Sequence, residues 1–313
     1  MDKRDEQIFE CLLQNCRLTT KEIAKITKIP QTTVSYKIHQ LEEKEIISKY
    51  DGLINFSLIF DDVQIFLISH KDTKNNEFEE KVHNNSSIAS LLRVSNPKNY
   101  FLFSMFDSTN EENKFLKEIS NEVISYEKYS VQNIEIFPFS IYDSKIKVKL
   151  LPKPTQKIKL EKIDYKILNY LSNGHGRISI LELTKQLKST YDIISYRFKR
   201  LKDNGYFSLF LAQPSITEFH LQVNYLHLQL KNNISSTQKK RLEQLKSVIA
   251  IIELNDNNYL VNFLSKDFKD YKETFETLSE LFKEEIEYFN MLNVKNWTII
   301  NRFPFEKFYK NKN

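Results

Sequence analysis

Glycine and cysteine are scarce in this chain. Its 313 residues include four glycines, Gly52, Gly174, Gly176 and Gly205. They leave no phosphate-cradling loop, and neither GxGxxG nor GxxxxGKS/T occurs. A Rossmann dehydrogenase or a P-loop ATPase is therefore not expected. The two cysteines, Cys11 and Cys16, cannot form a disulfide framework and fit a reducing compartment. They have no second Cys pair or nearby His at ligand spacing, so no zinc site is expected. No apolar run reaches the roughly 18 residues a membrane helix needs. The opening MDKRDEQIFE is charged and lacks an apolar core, so no secretory leader is expected. The expected location is cytoplasmic. Charge of one sign is also lacking: 46 basic against 41 acidic residues give a net charge of +5. Nucleic-acid binding is then a question of where the cations cluster.

Apolar residues make up 41% of the chain, enough to build real cores. At roughly 100–200 residues per domain the length fits two to four domains. The dominant feature is an internal duplication. At an offset of 160, residues 19–50 align with the stretch that begins at Ser179. Glu22 meets Glu182, Lys25 meets Lys185, Lys28 meets Lys188, and Ser35-Tyr36 meets Ser195-Tyr196. Lys37 meets Arg197, which keeps the charge, and Leu41 meets Leu201. Further on, Asn99-Tyr100 aligns with Asn258-Tyr259, and the tripeptide FPF closes each half. The chain is thus two copies of a unit of about 150 residues. Between them lies a lysine-rich segment with Pro152 and Pro154, which cannot be one regular helix.

Each unit opens with three short helical patterns. In the first copy Ile8, Phe9, Leu12 and Leu13 recur at helical spacing. Thr19 or Thr20 caps the second helix, which turns Ile23 and Ile26 inward. The third, beginning at Gln31, stripes Val34, Ile38 and Leu41 on one face. The second copy repeats that stripe as Ile194, Phe198 and Leu201. Two short helices joined by a turn, the second with a polar outer face, form the helix-turn-helix plan. Such a second helix fits the B-DNA major groove. The residues after it have strand character, and a turn at Asp51-Gly52 reads as a β-wing. The rest of each copy alternates as βαββαβ, a ferredoxin-like sandwich with both helices on one face. Its other face carries large apolar residues, and the sheet of the other copy is the obvious cover. The fold class is therefore α+β: two copies of a winged helix-turn-helix followed by a ferredoxin-like sandwich. The expected boundaries are 1–60 and 161–217 for the winged domains, 61–142 and 218–313 for the sheet domains, and 143–160 for the linker.

This order of elements resembles the Lrp/AsnC (feast/famine) transcription regulators, twice over. The residues that carry the resemblance are Asp164, Ile167 and Leu171 in the opening helix, and Val34-Ser35-Tyr36-Lys37 with Ile194-Ser195-Tyr196-Arg197 in the third. The family's single units dimerise through their sheet domains, so a fused pair resembles a covalent pseudo-dimer. In the family the loop between the second and third strands tends to read G-D-Y-D and takes part in amino-acid effector binding. Here it corresponds to Asn96, Pro97, Lys98 and Asn99, and to Asn255, Asp256, Asn257 and Asn258. The last aspartate is an asparagine in both copies, which removes a charge-assisted bond to an α-ammonium group. Asn96, Asn99, Asn255, Asp256 and Asn258 are the candidate effector-loop residues, for an effector of unidentified kind.

Double-stranded DNA is the expected partner, together with further copies of the chain through the sheet domains. No membrane partner is expected. The candidate DNA-contacting residues are Gln31, Thr32, Thr33, Ser35, Tyr36, Lys37 and Gln40, and Tyr191, Ser195, Tyr196, Arg197, Lys199 and Arg200. Residues 185–203 carry six basic and two acidic residues, whereas residues 21–49 carry six and four. The second copy is therefore the better phosphate binder, and unequal half-sites are expected. No pair of carboxylates stands out as acid and base, and no nucleophile–His–Asp set is suggested. The chain is accordingly expected to be no enzyme and to hold no cofactor or metal. Two alternatives remain. The siroheme decarboxylases are similar in plan, as paired units, and would need a cavity with basic residues and His; Arg93 and His70 are the nearest such groups. A winged-helix scaffold that binds protein is the other.

Overall fold

Capping boxes start the first two helices. The structure, a computed structural model, describes residues 1–60, 62–71, 76–95, 98–106, 108–137, 140–141 and 157–299. Helix α1 (Lys3–Gln14) begins where Asp2 and Asp5 cap each other's main-chain N–H groups, and α2 (Thr20–Thr27) where Thr19 and Glu22 do the same. Helix α3 (Gln31–Glu43) follows Pro30, which presets the chain for a helix start. Strand β1 (Ile47–Ile54) ends the first helical region.

The sheet region of the first copy comprises β2 (Gln64–His70), α4 (Asn76–His83), β3 (Ile88–Val94), β4 (Tyr100–Ser104), α5 (Thr109–Ile119) and β5 (Val123–Ile136). The second copy repeats the series as α6 (Lys162–Ser172), α7 (Ile180–Gln186), α8 (Tyr191–Asp203) and β6 (Phe207–Pro214). It continues with β7 (Gln222–Leu230), α9 (Ser236–Gln244), β8 (Val248–Leu254), β9 (Asn258–Ser265), α10 (Phe268–Phe282) and β10 (Ile286–Ile299). The expected α+β class and duplicated plan are present. No helix among the described residues is long and apolar enough to cross a membrane.

The chain divides into two compact units that cut across the repeat. One holds Met1–Leu58 with Ile136–Leu221, the helical regions of both copies. The other holds Ile59–Glu135 with Gln222–Asn313, the two sheet regions.

The helical unit corrects the reading of a β-wing. Strand β1 runs unbroken through Asp51 and Gly52 and pairs antiparallel with β6 of the other copy, Tyr50 with Ala212 and Gly52 with Phe210. Each copy supplies one strand to a shared two-stranded sheet, so there is no hairpin turn. Gly52 serves close approach instead, since a Cβ there would lie 2.7 Å from the Phe210 ring. Gly176 is similar: a Cβ would lie 2.7 Å from the Asp51 main chain. Around this sheet Phe9 of α1 stacks on Phe219, their ring centroids 5.3 Å apart.

In the sheet unit eight strands close in the cyclic order β10-β3-β4-β2-β5-β8-β9-β7. Each half keeps the ferredoxin-like order. Closure comes from the long strands: β10 pairs with β7 over Ile286–Asn293 and then with β3 over Val294–Ile299. Phe66 and Ile68 of β2 face α4 and α5, packing with Phe78 and Phe115 in one buried cluster. The alternate face is covered by the other copy, with Phe101 of β4 stacked 5.1 Å from Tyr225 of β7. Strands buried on both faces read as near-continuous apolar runs rather than strict alternation.

Candidate nucleic-acid interface

The two helix-turn-helix regions are tied by reciprocal bonds. Arg17 donates through Nη1 to the carbonyls of Gly176 and Ile178, at 2.9 and 3.1 Å. Arg177, its equivalent, donates to the carbonyls of Cys16 and Leu18. The Arg17 guanidinium also lies 4.6 Å from the Phe198 ring centroid. Cys16 is fully buried at this junction and Cys11 is fully buried within α1, and burial pushes both thiols up to about 12.

The outer face of α3 presents Gln31, Thr32, Ser35 and Tyr36 to solvent, with Thr33 and Gln40 half-buried. Gln31 donates to Thr20 Oγ1, and Gln40 donates to the Tyr36 hydroxyl at 2.8 Å. On α8, Tyr191, Tyr196 and Lys199 are exposed, and Ser195 and Arg200 are half-buried. Tyr36 and Tyr196, equivalent residues, are each 62% exposed. Beyond the Gln40 bond to Tyr36 and the Arg197 guanidinium 5.9 Å from the Tyr196 centroid, both rings are open to solvent, which suits contact with a partner surface.

Lys37 and Arg197 do not join that face. Lys37 Nζ binds Asp2 at 2.8 Å and Asp5 at 2.7 Å. Arg197 binds Glu161 at 2.6 Å and Asp164 at 3.2 Å. In each copy the cation of the third helix is held by the two capping carboxylates of the first helix. The hydrogen bond from Lys37 leads in lowering the Asp2 carboxyl to about 2. Burial raises the Asp164 carboxyl despite the adjacent guanidinium. Charge alone suggested DNA contact for these residues, but their side chains bridge helices. The signal that could have shown it is the repeat itself, which aligns both cations and both acidic N-termini. Sequence reasoning also passed over Arg17 and Arg177, which lie 160 residues apart at the repeat offset.

Of the effector-loop candidates, Asn255 reaches across to the other copy, while Asn99 and Asn258 bond within their own. Asn96 lies outside the described residues. Asn99 Oδ1 accepts from the His70 main chain. Asn255 accepts from the main chain of Ser130 on β5 at 2.9 Å. Asp256 and Asn257 are in the left-handed region, with φ 57° and 54°. Asn258 Nδ2 donates to the carbonyls of Asn255 and Asp256, so its Oδ1 faces His227 Nε2 at 3.0 Å. That amide orientation assigns the proton of His227 to Nε2. Among the described residues the buried Nδ1 has no hydrogen-bond partner, and burial lowers the affinity of the ring for a second proton. Tyr129 and Tyr288 meet the ring edge-on, at 5.2 and 5.7 Å. His70 and Arg93, the groups considered for tetrapyrrole carboxylates, lie on the helix side of their sheet. Arg93 is engaged with Glu79, and His70 packs on Phe78 and Tyr100 beside Glu122.

The winged helix-turn-helix DNA-binding family matches residues 1–48 and 160–207, the two helical regions just described. An HTH-type transcriptional regulator of Pyrococcus horikoshii is 24% identical over 120 residues, covering 38% of this chain and 81% of that protein. Two winged helix-turn-helix matches thus stand in tandem in this chain. The resemblance to the Lrp/AsnC regulators stands with these matches. Escherichia coli AsnC is 19% identical over 42% of the tandem protein and 93% of its own chain, with a TM-score of 0.37.

The whole tandem protein matches a different kind of molecule in fold. The crystal structure of the siroheme decarboxylase NirDL covers 99% of this chain and 98% of its own, with a TM-score of 0.61 and 12% identity. This corrects the expectation that the chain is no enzyme: its end-to-end architecture is one on which an enzyme is built. At 12% identity the likeness is one of fold.

Proposed function

We propose that the tandem protein is a sequence-specific DNA-binding transcriptional regulator that acts as a covalent pseudo-dimer. The observation that carries this reading is the joined pair of helix-turn-helix regions, each turning an exposed tyrosine-bearing face of its third helix outward. One chain thus offers two reading heads at one fixed spacing. They are unequal. On α8, Lys199 and Arg200 supply positive charge, whereas the one lysine of α3 is held by Asp2 and Asp5. Phosphate anchoring falls to the second copy, and the polar face of α3 reads with little electrostatic help. Because every strand of the eight-stranded closure has two neighbours, association with further copies would use helix faces rather than strand edges.

The test is selection from a random duplex pool, with sequencing, at two salt concentrations. A bipartite motif with unequal halves, about one helical turn apart or a multiple of it, supports the reading. A single half-site means that one head does not read DNA. No enrichment at low salt removes the reading.

A second reading rests on the end-to-end fold match and on the bare Nδ1 of His227, a neutral buried imidazole suited to proton transfer. In it the sheet unit acts on a tetrapyrrole. Titration with an iron tetrapyrrole, followed by visible absorbance, tests it: a shifted band supports it, and an unshifted spectrum at excess ligand rejects it.

A further inference from the structure

The corner between the second and third helices is strained in both copies. Lys28 has φ 60° and Lys188 has φ 50°. This left-handed region suits glycine, tolerates asparagine and penalises a lysine. The two residues are equivalent in the repeat, and both are exposed. Neither side chain has a hydrogen bond or ion pair among the described residues.

A second left-handed position in each copy shows what the chain does where no side chain is needed. Gly205 has φ 74°, and its equivalent Glu45 has φ 55°. There the copies differ, and one carries glycine. At 28 and 188 both copies keep lysine, although most outward positions of α3 and α8 differ between copies. Strain held twice with the same charged side chain points to a use for the charge.

The position suggests the use. Lys28 lies three residues before α3 begins, and Lys188 three residues before α8. In a docked helix-turn-helix the start of the second helix enters the major groove while the first crosses the backbone. The corner between them then overlies the sugar-phosphate edge of the groove. We infer that Lys28 and Lys188 are a matched pair of phosphate anchors, one per reading head, that grip the DNA backbone without reading its sequence. This rests on the DNA-binding reading above. It gives the α3 head a cation that the helix itself does not offer.

The test uses the full chain and a labelled duplex taken from the selection, with Lys28→Gly, Lys188→Gly, the double variant and Lys28→Arg. Each glycine substitution should raise Tm, by on the order of 2 °C, because it relieves the left-handed strain. Each should also weaken binding by about threefold to tenfold and reduce the log–log salt slope by about 0.9. The loss should be similar on every sequence bound, and Lys28→Arg should retain affinity. A more stable variant that binds less well is the signature, since damage to the fold would move both quantities down. If the wild-type chain binds and the glycine variants bind equally well with an unchanged slope, the anchors are refuted while the DNA reading survives. Variants that lose both stability and affinity refute the strain premise, and the inference with it. If the wild-type chain binds no duplex at low salt, the DNA reading fails first, and the anchors fall with it.

Discussion

Arg17 and Arg177 each donate to two main-chain carbonyls of the opposite copy, Arg17 to Gly176 and Ile178, and Arg177 to Cys16 and Leu18. One residue type at one repeat position thus closes the junction from both sides. The bonds are charge-assisted, and among the described residues no carboxylate shares them. Removing either side chain leaves two part-buried carbonyls short of a donor. Arg17→Ala and Arg177→Ala should each cost about 1–3 kcal/mol in urea unfolding. Because both close one junction, their double-mutant cycle should show coupling of about 0.5 kcal/mol or more. Additive losses would mean that the two halves hold independently.

Arg197 binds Asp164, which is buried, and Glu161, which is exposed. Arg197→Ala would leave the Asp164 carboxylate buried without its guanidinium, a loss of about 3 kcal/mol. Arg200→Ala should leave stability within about 0.5 kcal/mol, since its half-buried side chain has no hydrogen bond or ion pair among the described residues. Weakened DNA binding in Arg197→Ala should therefore accompany a lower Tm, whereas in Arg200→Ala it should not. Melting curves measured beside binding isotherms decide this.

Glu45 and Gly205 form a natural experiment in left-handed backbone. Glu45→Gly should stabilise the chain by about 0.5–1 kcal/mol, less the entropy glycine adds to the unfolded state. Gly205→Ala should destabilise it by about 1 kcal/mol. Chemical denaturation of the two variants checks both signs, and two shifts in the same direction would contradict the assignment.

Burial holds His227 neutral, with its folded-state proton affinity below the ordinary histidine value of 6.5. The unfolded chain therefore takes up a proton here at a pH where the folded chain does not. Stability from this group is complete above about pH 7 and falls as pH drops through the unfolded value. His227→Gln keeps a donor for Asn258 Oδ1 and removes the titration. It should flatten the stability curve between about pH 7 and pH 5 relative to the wild-type chain. Parallel curves for the two proteins would show that His227 does not titrate differently on folding.

Much of this fold was legible in order along the chain. The repeat, the three helices with their caps, and the βαββαβ series depend on spacing and capping within a dozen residues, where neighbours in sequence are neighbours in space. The stripe of Val34, Ile38 and Leu41 needs nothing beyond one helix to be read, and all three are buried. The partners of side chains were not legible in the same way. Lys37 and Arg197 look like surface cations on a helical wheel, and only the packing of the first helix against the third brings two carboxylates to each. Asp51 and Gly52 look like a turn, but β6 supplies a strand across about 160 residues of chain and keeps them extended. Main-chain hydrogen bonding is satisfied by whichever strand arrives, and composition does not name it. The sequence determined which elements form and that they form twice. Tertiary structure decided which charges are spent on holding those elements together and which are left to meet a partner.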